Sequence, residues 1–286
     1  MIKCNGKKMR GATLKYELIV SDLDGTLLTE DMTVSRENEE AIKRISEMGI
    51  LFTASSGRTL YEIPECVRKN PNIRYIAYSN GTAIFDKAEG RDIAENRITR
   101  AATNAAYDVL RDYDVLCSVH ADGHAYVNTS SINDESCKVY QINEYYKSIL
   151  LGAKRTESVE ALARSSDGTE AVVIFFSRDE EIEPCRERLE GIDGLFVTSS
   201  IAHNIEICSR NAGKGEAFEI LRKHLGIDRE KTIAVGDNMN DTSMFDVAGL
   251  SLCAGNGSDE AKARADRVIC RSDEHTASYI YNEILK

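Results

Sequence analysis

Two carboxylates, Asp22 and Asp24, stand at the end of a short apolar run and are followed directly by Gly25. Such a run is typical of a buried strand, and in an open α/β sheet ligands bind beyond the carboxyl ends of the strands. Gly25 allows the backbone to turn tightly and to approach a ligand closely. An isolated Asp-Gly pair would indicate only a turn, so the rest of the chain decides whether these carboxylates do chemistry.

A calcium-binding loop also begins Asp-x-Asp, but it needs an oxygen ligand at its fifth position, Gly at its sixth and Glu at its twelfth. This chain has Thr26, Leu27 and Thr33 at those positions, which excludes that loop. The remaining interpretation is a site that holds a hard cation between carboxylate and carbonyl oxygens. One of its carboxylates is then available as a nucleophile.

The same arrangement of strand and polar turn recurs twice more. The polar turns contain Ser56, Gly57 and Arg58 after a strand at 50–54, and Asp237, Asn240 and Asp241 after a strand at 232–235. Each turn alone is a weak signal. Because parallel strands end at the same edge of a sheet, we expect these side chains to converge on one site.

Lys214 lies at or beside the N-terminus of a predicted helix that extends to about Leu225 and ends at Gly226. Backbone amides, the positive end of the helix dipole and the ammonium group would coincide there, which is typical of an anion site. Taken alone, a lysine in a first turn is more often solvated. Together with the carboxylates, it indicates a site for an anionic substrate.

Strands and helices alternate along residues 14–83, which predicts an α/β fold with a doubly wound parallel sheet, a Rossmann-like core. After residue 83 the pattern changes to an α+β arrangement that includes a hairpin with an Ala-Asp-Gly turn. The α/β pattern then resumes. We therefore predict a disordered extension at 1–13, a core at 14–83 and 204–286, and an inserted α+β domain at 84–203.

His120 and His124 flank that hairpin turn. A spacing of four residues would suggest a metal-binding pair on a helix. Across a hairpin turn we expect both to be surface residues instead.

The composition limits the class of protein and its partners. The length of 286 residues is typical of about two domains, and 42% of the residues are hydrophobic. Eight cysteines without a Cys-x-x-Cys pair, and the lack of an apolar secretory segment, predict free thiols in a cytoplasmic protein. No run is long enough to span a membrane. The net charge of −11 argues against nucleic acids and anionic membranes as partners. The sequence does not indicate the oligomeric state.

Four segments resemble, in order, the four motifs of the haloacid dehalogenase-like hydrolases. They are 22–26, 56–58, 214–215 and 236–241. The inserted domain is similar to the cap domain of the Cof-type branch, whose members are mostly magnesium-dependent phosphatases of small metabolites. Ser56 stands where Thr is usual, and both offer a hydroxyl group. The segment 273–276 lacks the Gly that is common there, so no role is assigned to it.

The resemblance implies a role for each matched residue. Asp22 would attack phosphorus to give an aspartyl-phosphate, and Asp24 would protonate the leaving alcohol and later take a proton from water. The residues expected at Mg²⁺ are Asp22, Asp24 through its main-chain oxygen, Asp237, and Asp241, which would orient Lys214 or a metal-bound water. The residues expected at the phosphate are Ser56, Gly57, Lys214 and Asn240. Arg58 either contacts the substrate or pairs with an acidic residue of the core.

The function implied is magnesium-dependent hydrolysis of a small-molecule phosphate monoester, such as a sugar phosphate. A phosphosugar mutase could use the same aspartyl nucleophile if water were excluded. Mutases with a similar cap usually lack a Lys-Gly helix start like that at Lys214, which disfavours this alternative. A non-catalytic binding module would require a broken motif, and all four motifs are intact.

Overall fold

The computed structural model of the protein describes residues 14–166, 168–199 and 203–286, so the extension predicted at 1–13 lies outside the described residues. The strands are, in chain order, β1 Leu18–Asp22, β2 Leu51–Ser55, β3 Ile73–Tyr78, β4 Ala83–Asp86, β5 Arg91–Glu95, β6 Val115–Ala121, β7 His124–Asn128, β8 Lys154–Thr156, β9 Ala171–Phe176, β10 Leu195–Thr198, β11 Asn204–Ser209, β12 Thr232–Gly236, β13 Leu250–Cys253 and β14 Arg267–Val268. The α-helices are α1 Arg36–Glu47, α2 Glu65–Arg68, α3 Arg100–Leu110, α4 Asp134–Val139, α5 Glu144–Gly152, α6 Val159–Ser165, α7 Ile182–Glu190, α8 Lys214–Leu225, α9 Thr242–Val247, α10 Asp259–Arg264 and α11 Thr276–Tyr279.

The larger sheet has eight strands in the order β14-β13-β12-β1-β2-β3-β4-β5. The strands from β14 to β3 are parallel, and β4 and β5 add an antiparallel pair at one edge. The chain builds β1, β2 and β3 outward in one direction and later returns on the other side of β1 with β12. The strand order therefore reverses between β1 and β12, which is where α/β sheets bind ligands. The α/β, Rossmann-like core predicted from the sequence is confirmed.

Burial explains why the central strands read as apolar runs. All five residues of β1 and all five of β12 are buried, as expected for parallel strands that are covered on both faces. Ser35 precedes helix α1, and its side chain accepts a hydrogen bond from the Asn38 backbone amide and caps the helix. Its buried residues Ala41, Ile42 and Ile45 pack against the sheet.

The smaller sheet has six strands in the order β10-β11-β9-β6-β7-β8. Its pairs are antiparallel except β7 with β8. Successive residues of β9 alternate between two clusters: Val172, Ile174 and Phe176 pack with α3, α6 and α7, whereas Val173 and Phe175 pack on the other face with α4 and α5. We keep the name cap domain for this sheet and its helices.

Strand pairing departs from the predicted domain boundaries at both ends of the insert. Strands β4 and β5 extend to Glu95 and belong to the larger sheet, whereas β11 begins at Asn204 and belongs to the smaller one. The first boundary lies later than predicted because β4 pairs antiparallel with β3 before the chain leaves the core. The parallel pattern that the sequence indicated could not reveal an antiparallel edge hairpin.

A buried carboxylate joins the two sheets. Glu170, just before β9, accepts hydrogen bonds from the Ser79 hydroxyl of the core at 2.9 Å and from the Gly123 amide of the cap hairpin at 2.7 Å. Burial raises the pKa of Glu170, and these two hydrogen bonds offset part of that effect. The contact fixes the hairpin turn over the loop that follows β3.

We expect Glu170→Ala to lower the free energy of unfolding by about 1–3 kcal/mol, because the buried Gly123 amide loses its acceptor. Glu170→Gln is the matched control, since its amide oxygen can still accept from Gly123 while the buried charge is removed. Urea denaturation of both variants measures the difference. An alanine variant as stable as the glutamine variant would contradict a structural role for this contact.

Candidate active site

The two carboxylates that end β1 lie at the switch point of the larger sheet. Asp22 is the last residue of β1 and is 5% exposed. Gly25 follows with φ +71°, and a Cβ atom there would lie 2.4 Å from Oδ2 of Asp237. A side chain is therefore excluded at this turn, which brings the segment after β1 against the segment after β12. Thr26 donates a hydrogen bond of 3.0 Å to Oδ1 of Asp237 and closes the same contact.

Lys214 is buried between two carboxylates. Its Nζ lies 2.6 Å from Oδ1 of Asp22 and 2.6 Å from Oδ1 of Asp241, and its side chain is 1% exposed. Burial lowers the pKa of Lys214, but the charges of Asp22 and Asp241 outweigh burial and raise it overall. Lys214 is therefore an ammonium ion that fixes both carboxylates, and the solvated lysine considered from the sequence does not apply.

The loop after β3 determines where helix α8 begins. Ser79, Asn80 and Gly81 all have positive φ values, of 49°, 53° and 81°. A Cβ atom at Gly81 would lie 2.2 Å from the carbonyl oxygen of Gly213, so only glycine permits this approach. Because Gly213 precedes the first residue of α8, this close contact positions Lys214 at the edge of the sheet.

Asp241 organises the turn after β12. Its Oδ2 accepts hydrogen bonds of 2.9 Å from the amides of Asp237 and Asn238, while Oδ1 accepts from Lys214. The side chain is fully buried. Asp241 thus contacts Lys214, one of the two groups that it is expected to orient.

Three carboxylates meet closely enough to share a metal ion. Ligand oxygens of Asp22, Asp237 and Asp241 all lie within 4.8 Å of one another. Burial and the charge of Asp241 raise the pKa of Asp22 well above its ordinary range, and the same two causes raise the pKa of Asp237. One ammonium group cannot neutralise three carboxylates. The donor set therefore fits a hard divalent cation with oxygen ligands.

Asp24 pairs with Arg58, whereas Asp22 and Asp241 contact Lys214. Its carboxylate accepts hydrogen bonds of 2.8 Å from both Nε and Nη2 of Arg58, a bidentate ion pair. The alternative in which Arg58 pairs with an acidic residue thus describes this structure, and that residue is Asp24. Ser56 is fully buried, and its hydroxyl accepts a hydrogen bond of 3.2 Å from the Arg58 amide.

A cavity of about 240 Å³ lies between the core and the cap domain. Of the residues predicted for the site, those that line it are Asp22, Asp24, Gly57, Arg58, Lys214, Asp237 and Asn240. Ser56 and Asp241 lie behind this surface. Core residues that the sequence did not assign to the site also line it, and Asn80 is one of them; its Oδ1 accepts a hydrogen bond of 3.1 Å from Asn240. The sequence feature that could have identified Asn80 is the polar turn that follows β3.

His120 and His124, which the sequence predicts to be surface residues, are both partly exposed and partly covered by neighbouring groups. His120 lines the cavity, and His124 stacks on Tyr61 of the core with ring centroids 4.0 Å apart and planes 7° from parallel. The reason is that the hairpin turn packs on the core, where the Gly123 carbonyl accepts a hydrogen bond of 3.0 Å from the Tyr61 amide. Burial lowers the pKa of His124.

The fold and the site together define an α/β protein whose acidic centre lies beneath a cap domain. The chain belongs to the haloacid dehalogenase-like hydrolase family, whose sequence profile matches residues 19–280. Phosphatase YwpJ of Bacillus subtilis is 30% identical, over 94% of this chain and 100% of the relative. The B. subtilis 5-amino-6-(5-phospho-D-ribitylamino)uracil phosphatase YwtE is 28% identical, over 93% of this chain and 97% of the relative. The protein is a phosphatase.

Solved structures agree with the family and the fold. A haloacid dehalogenase-like hydrolase from B. subtilis has a TM-score of 0.76 at 28% identity and covers 94% of this chain and 100% of its own. A Thermotoga maritima protein has a TM-score of 0.79 at 24% identity, covers 95% of this chain and 98% of its own, and shows the fold alone. Among the described residues, no helix has the length and apolar character needed to cross a bilayer.

Proposed function

We propose that this phosphatase hydrolyses a small-molecule phosphate monoester, such as a sugar phosphate, through an aspartyl-phosphate on Asp22. The observation that carries the proposal is the position of Asp22, buried at the end of β1, held by Lys214 at 2.6 Å and facing the cavity beside Asp24. Nucleophilic attack by a fixed carboxylate divides hydrolysis into two easier steps. Its oxygen forms the bond to phosphorus while the bond to the leaving alcohol breaks.

Lys214 and the polar turns supply the charge that phosphoryl transfer needs. The phosphoryl group carries negative charge on its equatorial oxygens, and catalysis depends on positioning and electrostatic stabilisation of that charge. Lys214 holds Asp22 in place and brings a buried positive charge to the cavity wall. Asn240 and Gly57 face the same space, so the amide side chain and the backbone can contact phosphate oxygens. Ser56 is buried behind the cavity surface, and we assign it the role of supporting the turn that contains Gly57.

Asp24 is the candidate for proton transfer, and Arg58 controls its availability. Because Arg58 also lines the cavity, an incoming phosphate dianion competes with Asp24 for the guanidinium group. A shift of Arg58 toward the phosphate would release the Asp24 carboxyl group. Once released, the Asp24 carboxylate could take up a proton from solvent water and give it to the leaving alcohol, and in the second step take a proton from the water that attacks the aspartyl-phosphate.

The residues that would hold Mg²⁺ are Asp22, Asp237 and the main-chain oxygen of Asp24, with Asp241 behind them. When bound, the ion would neutralise excess carboxylate charge and lower the repulsion between Asp22 and a phosphate dianion. The support for a divalent cation is the convergence of three carboxylate oxygens within 4.8 Å. The choice of Mg²⁺ rests on its preference for carboxylate oxygens together with phosphate.

One observation supports hydrolysis over the phosphosugar mutase alternative, and a second supports a small ester as the substrate. The relatives at 28% and 30% identity are named phosphatases, and one is named for a phosphoribitylamino-uracil substrate. The cavity of about 240 Å³ lies below the roughly 300–1,000 Å³ of sites for drug-sized ligands, so it suits a metabolite.

We expect release of inorganic phosphate from p-nitrophenyl phosphate to stop when EDTA is added and to resume with excess Mg²⁺. Ca²⁺ should not restore activity, because its longer bonds and looser coordination misplace Asp22. The assay is colorimetric phosphate release, repeated over a panel of phosphorylated metabolites. Full activity in excess chelator would contradict the metal assignment. Isomerisation of a sugar phosphate without phosphate release would support the mutase.

A further inference from the structure

The backbone turn that follows β1 is held by side chains from other segments of the chain. Its amides at 26–28 are satisfied locally, because all three donate to the Leu23 carbonyl. The carbonyls of Gly25, Thr26 and Leu27 lie beyond the strand ladder, and each accepts a hydrogen bond from a side chain outside the turn. The position of this turn is therefore set by the segments that supply those donors.

Two of the donors come from the C-terminal part of the chain. The side-chain amide of Asn256 donates a hydrogen bond of 2.7 Å to the Gly25 carbonyl, and the Thr276 hydroxyl donates one of 2.9 Å to the Thr26 carbonyl. Asn256 also accepts a hydrogen bond of 2.7 Å from the Ser272 amide, which joins the segments that carry the two donors. The segment 273–276, to which the sequence assigns no role, thus ends in direct contact with the turn.

Asn38 of α1 makes the third contact. Its side-chain amide donates a hydrogen bond of 3.3 Å to the Leu27 carbonyl. Its Oδ1 accepts hydrogen bonds of 3.0 and 3.2 Å from the amides of Ala277 and Ser278, at the start of α11. Asn38 and Thr276 are both buried, and a buried polar network whose groups are satisfied makes its surroundings rigid.

The turn at 24–27 carries or contacts two of the groups expected around the cation. No backbone amide among the described residues donates to the Asp24 carbonyl, so that oxygen remains available to a metal ion. Thr26, whose carbonyl is held by Thr276, donates its own hydroxyl to Oδ1 of Asp237 at 3.0 Å. Thr276 is therefore connected through one residue to a carboxylate of the acidic centre. Groups that orient metal ligands in this way determine metal affinity.

We propose that Thr276 and Asn256 are positioning residues, which hold the turn at 24–27 so that the Asp24 carbonyl and the Asp237 carboxylate bind Mg²⁺. Neither is among the residues that line the cavity, so both act through the turn and not on the substrate. The inference rests on the proposed function and adds a support for its metal site from the C-terminal segments. Its physical basis is that small displacements of ligand or reacting groups cost much of their effect.

Thr276→Val tests the proposal, because valine has nearly the shape of threonine but cannot donate to the Thr26 carbonyl. We expect Mg²⁺ affinity, measured by calorimetric titration without substrate, to fall about tenfold. Turnover of p-nitrophenyl phosphate at saturating Mg²⁺ should also fall about tenfold, because Asp22 immediately precedes the displaced segment. Thr276→Ser, which keeps the hydroxyl group, should retain the wild-type affinity and turnover.

Thr232→Val is the matched control, because it makes the same change at a buried threonine at the opposite end of β12 from the site. The Thr232 hydroxyl donates a hydrogen bond of 2.7 Å to the Arg229 carbonyl and accepts one of 3.1 Å from the Gly249 amide. Its removal should lower the free energy of unfolding but leave Mg²⁺ affinity and kcat unchanged. Loss of a buried hydroxyl alone therefore does not produce the result expected for Thr276→Val.

Asn256→Ala is the second variant if Thr276→Val folds poorly, since Asn256 is only partly buried. It should lower Mg²⁺ affinity in the same direction, because the Gly25 carbonyl loses its donor.

Calorimetry separates this inference from the proposed function. A wild-type enzyme that binds Mg²⁺ but hydrolyses no ester would refute only the proposed function, because the affinities of the variants still decide the positioning role. The inference is overturned if Thr276→Val and Asn256→Ala bind Mg²⁺ as tightly as Thr232→Val does. It is also overturned if Thr276→Ser loses as much affinity as Thr276→Val.

Discussion

Asp22→Asn is expected to lower kcat for every phosphate ester by at least about 10⁴-fold, because an amide cannot form the covalent phosphoenzyme. The substitution keeps the size of the side chain and its place at the end of β1. Lys214 retains its second partner, Asp241, at 2.6 Å. Loss of activity would therefore reflect the chemistry of the carboxylate and not a displaced lysine. Single-turnover phosphate release from p-nitrophenyl phosphate is the measurement.

The same variant should remain folded and, without metal, be at least as stable as the wild type. Burial and Asp241 raise the pKa of Asp22, so the folded state binds more protons than the unfolded state. The stability of the metal-free wild type therefore falls as pH rises from the ordinary aspartate range through the raised pKa. An uncharged amide in place of the Asp22 carboxylate would remove that loss at neutral pH.

The control for Asp22→Asn is Asp246→Asn, which removes one aspartate charge from an exposed ion pair with Arg264. It should keep full activity. Retention of more than a small fraction of activity in Asp22→Asn would refute the covalent mechanism. A lower thermal midpoint than that of the wild type in EDTA would refute the account of the raised pKa.

The sequence was sufficient to predict the core because its strands carry an unambiguous pattern. Fully buried β1 and β12 are continuous apolar runs, and each ends in polar residues that the structure places at one edge. Lys214, Asp22 and Asp241 are far apart in the chain, yet a parallel sheet with a switch point between β1 and β12 brings them to 2.6 Å contacts. Topology alone makes that convergence predictable.

The cap side of the site could not be predicted in the same way. Glu206 lies in a strand of alternating residues, and its face toward the core follows only from how the smaller sheet packs over the larger one. The stacking of His124 on Tyr61 could not be predicted for the same reason, since the sequence gives no sign that the hairpin turn packs on the core. Arg58 was ambiguous because its partner is a side chain whose rotamer depends on the assembled site. Contacts between the cap domain and the core do not produce a periodic pattern in the sequence, so they could not be predicted from it.

Lys214→Met is expected to have the largest effect on stability. Methionine approximates the length of the lysine stem but leaves Asp22 and Asp241 buried without their ammonium partner. Removal of one member of a buried ion pair typically costs about 3–5 kcal/mol, because the remaining charge is not compensated. The pKa of Lys214 is raised overall by these two carboxylates, which shows how strongly the charged forms depend on one another. Activity should also fall below detection, since Asp22 loses the contact that fixes it.

A second substitution distinguishes charge compensation from packing as the cause of this loss. Asp241→Asn in the Lys214→Met background removes one of the two uncompensated carboxylates and should recover about 1–3 kcal/mol of the lost stability. Activity should not return, because the buried positive charge beside Asp22 is still missing. Urea denaturation in EDTA, at a pH where the carboxylates are ionised, measures both variants against the wild type. If the double variant is no more stable than Lys214→Met, packing around the methionine explains the loss. The ammonium group is then not what holds together the three segments that carry Asp22, Lys214 and Asp241.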